Sequence, residues 1–126
     1  MFDEKKQIVY WKTTALDNLE TAEILFEKGK YRECLFFCHL TIEKLLKAHF
    51  VKSNLMLAPK SHDLLSLASK TKLTLDVLTE EFLGRLNEYN LESRYPENYI
   101  KPPAREKVND LYSKTKDLAN WLMNQL

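Results

Sequence analysis

Apolar positions recur at three- and four-residue steps through most of the chain, the period of one face of an α-helix. Ile8, Trp11, Ala15, Leu19, Ala22, Leu25 and Phe26 form one such stripe and predict a first helix over about 8–28. Gly29 follows where a helix end commonly needs positive φ. A second helix is predicted over about 31–52. Leu35, Cys38, Ile42, Leu45 and His49 hold strict a/d spacing there, and 34–40 is apolar nearly all round. That marks the most buried helix, or one that also meets a second subunit. The short link to the first helix makes the two antiparallel neighbours.

After a connection over 53–60, Ser61 is the expected N-cap of a short helix reaching about residue 72, with Asp63 in its first turn. A fourth helix is expected over about 79–90, capped by Thr79, with Phe82, Leu86 and Tyr89 facing inward. Residues 91–103 form the longest irregular stretch. Pro102 and Pro103 are then expected to start a last helix, whose stripe is Val108, Leu111, Thr115, Leu118 and Leu122. The expected fold is all-α, an antiparallel, up-and-down bundle of four or five helices, forming one domain over 1–126.

Composition sharpens this picture. Only two of 126 residues are Gly, where average usage would give roughly nine. Neither a G-x-G-x-x-G loop nor a G-x-x-x-x-G-K-[ST] loop can be built, so two common phosphate cradles are excluded. Gly84, inside the fourth helix, predicts close helix or subunit packing there. No 18-residue window is free of charge, residues 1–7 lack the apolar run of a signal peptide, and two Cys make no disulfide scaffold. A cytoplasmic protein is expected. The formal net charge of +1 hides blocks: 44–72 carry six Lys against Asp63 alone, and 73–99 carry two Arg against six acids. The basic block either attracts an anion or faces the acidic one within the bundle.

The segment 31–50, YRECLFFCHLTIEKLLKAHF, contains Ile42-Glu43-Lys44-Leu45-Leu46-Lys47-Ala48. It resembles the signature helix of HEPN domains, the higher-eukaryote and prokaryote nucleotide-binding family. Trp11 and Ala15 in the first helix, Ser61-His62-Asp63-Leu64 after a Pro-containing loop, and Ser93-Arg94-Tyr95-Pro96 resemble further family elements, in the family's order. The resemblance implies a helical bundle, often a homodimer, found in prokaryotes alone or beside a minimal nucleotidyltransferase in a toxin–antitoxin-like pair. Some members are metal-independent ribonucleases with an R-x4-6-H pair late in the domain; others bind nucleotides or act as adaptors. Here no His follows Arg94, and the fifth position after it is Tyr99. A tyrosine, with a pKa of about 10, is a poor base at neutral pH. The reading that follows is a non-catalytic nucleotide-binding or adaptor subunit. A ribonuclease toxin acting on single-stranded RNA and a purely structural dimerisation module are the alternatives.

Several side chains are candidates for chemistry. Arg94, Tyr95, Tyr99 and Lys101 combine cations for phosphate with rings for stacking a base; equally, they can anchor the loop. Lys44 and Lys47 lie one turn apart and could share a phosphate, although Glu43–Lys47 is also an i,i+4 pair. His62 is placed to meet an anion at a helix start, or to bond locally. Arg32 and His39 match the ribonuclease spacing but sit in the signature helix, where a buried, bonded His is the simpler role. Residues Cys34, Cys38 and His39 share a helix, but His39 points about 100° away from Cys38. No metal and no cofactor is expected.

Overall fold

The computed structural model describes residues 1–90 and 101–126. Among these, the helices are α1 (Glu4–Glu27), α2 (Tyr31–Asn54), α3 (Leu64–Ser69), α4 (Val77–Asn87) and α5 (Arg105–Asn124). The helical bundle expected from the stripes is present. Its centre is α2, which packs against every other helix. Fourteen of its residues are buried, against two in α1, consistent with a helix apolar nearly all round.

Capping chemistry sets several boundaries differently from the stripes. α1 begins at Glu4 because Asp3 accepts a hydrogen bond from Lys6 N at 3.1 Å. α3 is capped by Asp63, not Ser61: its carboxylate accepts from Leu65 N and Ser66 N, and Ser61 Oγ instead accepts from Asp63 N. α4 is capped by Asp76, not Thr79; Thr79 supplies the N–H, 2.7 Å from Asp76 Oδ1. An ionised Asp is as good a cap as Ser or Thr and also suits the helix dipole. Pro102 and Pro103 precede α5, whose N-cap is Ala104 in extended conformation. Pro103 disfavours helical φ/ψ at Pro102, so the helix does not start at the first proline. Gly29 has φ 73°, as a C-terminal glycine should.

The turn at Gly29 sets α2 antiparallel to α1. The start of α5 lies by the start of α2, where Arg105 Nη1 donates to Tyr31 Oη at 3.0 Å and its guanidinium covers the Phe26 ring at 4.6 Å. The end of α5 lies by the end of α2: His49 Nε2 is 2.8 Å from Leu122 O, and Lys52 Nζ donates to Gln125 O at 2.8 Å. So α5 runs antiparallel to α1 but in the same direction as α2. The short α3 and α4 make this arrangement possible by carrying the chain back to the far end. Tyr112 seals the α1–α5 seam, stacked on Phe26 at 5.8 Å and donating to Glu23 Oε2 at 3.3 Å. Burial and the Glu23 carboxylate push its hydroxyl up to about 12, so it stays protonated at any working pH.

Gly84 departs from expectation. A Cβ built there meets only Leu65 Cδ1, at 3.8 Å, an ordinary contact. Among the described residues, no close approach requires glycine there. Gly84→Ala is therefore expected to stabilise the fold by about 1 kcal/mol through helix propensity, raising the melting temperature. An unchanged or lower value would show that the site needs the missing methyl.

Candidate functional site

One carboxylate gathers most of the chemistry in the described residues. Glu43 is 3% exposed, on the face of α2 that looks toward the segment before α3. Its Oε2 accepts from Lys47 Nζ at 3.2 Å, one turn along α2. Its Oε1 is 3.0 Å from His62 Nδ1 and 3.7 Å from His39 Nδ1. His39 Nε2 lies 3.0 Å from the carbonyl of His62 and, opposite that carbonyl, can only donate. Its Nδ1 is then the unprotonated nitrogen, and among the described residues it has no hydrogen-bond partner. Lys47 is 5% exposed and lies 5.3 Å from the centroid of the Trp11 ring, a second favourable contact for a buried cation.

The cluster is tied to the helices beyond it. Asn87, at the end of α4, accepts from Leu64 N at 3.0 Å and donates to the Asp63 cap at 3.0 Å. α2 therefore holds His62 through Glu43 and His39, while Asn87 ties the adjoining Asp63 and Leu64 to α4. His62 itself remains partly exposed, its side chain at 42%. It stands just ahead of the Asp63 cap rather than inside the helix.

Other predicted residues lie elsewhere. Lys44 is half-buried and Lys47 is buried against Glu43, so the two are not an open pair. Arg32 Nε is 3.4 Å from Glu33, whereas His39 is fully buried beside His62. Lys101 is exposed before α5. Arg94, Tyr95 and Tyr99 lie outside the described residues. Cys34 and Cys38 are buried free thiols; the hydrogen bond they share, and burial, push the Cys38 thiol well up. Among the described residues no group of His, Cys, Asp or Glu is arranged to hold a metal, and no helix is long and apolar enough to cross a membrane. Sequence patterning missed Glu43 as the hub, and Asn87 entirely. The signal available was the His39–Glu43–Lys47 spacing of four and four on one helix face.

Burial pulls His39 below the ordinary histidine value of 6.5; Glu43, the His62 carbonyl and Asn87 oppose it without prevailing. Burial does the same to His49, against the pull of the Leu122 carbonyl. The unfolded chain therefore takes up protons near 6.5, while the native chain resists until lower pH. Stability is fully present above about 6.5 and falls as pH drops through and below it, by up to about 1.4 kcal/mol per pH unit per histidine. Melting temperatures between pH 8 and 5 should decline only below that point, and His39→Asn/His49→Gln should flatten the decline. A melting temperature that holds or rises through this window contradicts the assignment.

Known proteins share this fold. The crystal structure of TT1696 from Thermus thermophilus is similar, with a TM-score of 0.79 and 18% identity over 100% of both chains. That likeness concerns the fold alone. None of the curated proteins compared matches the chain. A family model described as "HEPN domain" matches residues 8–126, nearly the whole chain. With the signature helix at the centre of the bundle and its Glu43 at the hub of the polar cluster, the chain belongs to the HEPN domain family.

Proposed function

We propose that this HEPN protein is a non-catalytic subunit, binding a nucleotide or acting as an adaptor for a minimal nucleotidyltransferase partner in a toxin–antitoxin-like pair. The observation that carries the reading is the employment of its histidines. His39 is bonded to the His62 carbonyl, His49 to the Leu122 carbonyl, and His62 to Glu43. No histidine follows Arg94 in the sequence. Proton transfer to or from a bound RNA needs a base of suitable pKa within reach of the substrate, and His39 and His49 are committed to holding helices together. The ligand contacts proposed are Arg94, Tyr95, Tyr99 and Lys101, with Lys44 and His62 as further candidates. Lys47 is spent on Glu43.

Single-stranded RNA incubated with the purified protein in chelator should remain intact. Cleavage that disappears in Arg94→Ala would overturn the reading and make the protein a ribonuclease. A panel of nucleotides should contain one that raises the melting temperature with concentration, an effect lost in Arg94→Ala. A nucleotidyltransferase-domain protein should also co-purify from the native host. If neither nucleotide nor partner is found, only a structural dimerisation module remains.

A further inference from the structure

α4 and α5 both pack on α2 but not on each other, and the space between them is an open groove of about 570 Å³. Its apolar surface comes from Leu75, Leu78 and Phe82 on one side and Leu118 and Trp121 on the other. Phe82 is buried and forms the floor, whereas Leu78 is 76% and Trp121 40% exposed. Single exposed apolar residues are ordinary; an indole and a leucine facing one another across a floor of Phe82 are not. Trp is also a side chain on which interfaces concentrate their binding energy.

The charges at the rim decide what would fit. Asp76 is occupied in capping α4, and Lys114 Nζ is 3.1 Å from Asp110. Glu81 and Asp117 then outnumber Arg85. A phosphate or nucleic acid would meet more repulsion than attraction there. A cationic partner with apolar anchors would be favoured on both counts. The volume admits a few large side chains but not a helix with its backbone, so an occupant must lie along the groove and insert one face.

We propose that the α4–α5 groove docks an amphipathic helix of a partner protein, which inserts two or three large apolar side chains at i, i+3/i+4 spacing between Leu78 and Trp121 and sets flanking Lys or Arg against Glu81 and Asp117. This rests on the adaptor reading above and supplies its contact surface.

The probe is a labelled 18-residue peptide of Leu and Lys in helical amphipathic order, with a Leu/Glu peptide of the same pattern as control, followed by fluorescence anisotropy at low salt. The Leu/Lys peptide should bind at least about tenfold more tightly, and Leu78→Asp should cost it about as much again. Glu81→Lys/Asp117→Lys should reverse the order of the two peptides. All three substitutions are at exposed positions, so circular dichroism should show the helices unchanged. Equal binding of both peptides, indifference to Leu78→Asp, or an unreversed order would overturn the proposal. So would ultracentrifugation showing the groove closed by a second copy, whose Lys5, Lys6, Val9 and Tyr10 present similar chemistry. If the nucleotidyltransferase still co-purifies with Leu78→Asp, the adaptor reading stands and this surface does not.

Discussion

Glu43→Ala should destabilise the protein by about 3–5 kcal/mol, the cost of leaving a buried charge without its partner. Lys47 is the charge left behind: it is 5% exposed, and it is held by Glu43 and the Trp11 ring. The same substitution removes the acceptor for His62 Nδ1. A domain of this size is commonly stable by about 5–15 kcal/mol, so the variant should lie near its limit at 37 °C. Glu43→Gln keeps the shape and some hydrogen bonds and should cost less. Glu43→Leu/Lys47→Met removes both charges and should recover most of the loss, because a buried ion pair is often no better than well-packed apolar groups. Urea midpoints with unchanged slopes would measure all three. A loss below about 1 kcal/mol in Glu43→Ala would mean that Lys47 finds water.

The second large effect is expected in α4. Leu86→Ala should cost about 2–5 kcal/mol, as full burial and poor collapse of the site predict. Leu86 is 0% exposed, and with Phe82 and Leu83 it anchors an eleven-residue helix to the core. The loss should be local first: amides of α4 should exchange faster with solvent while those of α2 remain protected. Since α4 is one wall of the groove, Leu86→Ala should also weaken the Leu/Lys peptide without altering any residue that touches it. Uniform loss of protection through α2 would show instead that α4 opens only with the whole fold.

The long helices were legible because their stripes are long. Seven apolar positions in α1 and four of the five stripe positions in α5 average out local exceptions, and Gly29 marks its turn unambiguously. The starts of α3 and α4 were harder, because two residues able to cap stand near each. Ser61 competes with Asp63, and Asp76 with Thr79; the winner depends on where the chain arrives from. Glu43 illustrates the limit of spacing. Its i,i+4 bond to Lys47 lies within one helix and can be inferred from sequence. Its bond to His62 joins residues 19 apart through a non-helical segment, and no periodicity encodes that. At Gly84 a scarce residue type suggested close packing, but among the described residues of this chain a Cβ would make only an ordinary contact with Leu65. The candidates Arg94, Tyr95 and Tyr99 lie outside the described residues, so the geometry described is that of Glu43 and its partners.

The co-directional path of α5 beside α2 also bears on the order of assembly. α1 and α2 meet through a tight turn, so their pairing closes almost no loop. The bonds of His49 to Leu122 and of Lys52 to Gln125 each join residues 73 apart. Ends that far apart must be brought together before any contact rewards the closure, and the entropy of that step grows with loop length. The α1–α2 hairpin is therefore expected to form first and α5 to dock last. The buried residues of α2 that α5 covers, such as Cys38 and His49, are the surface that chaperones would meet on a chain still short of its final helix.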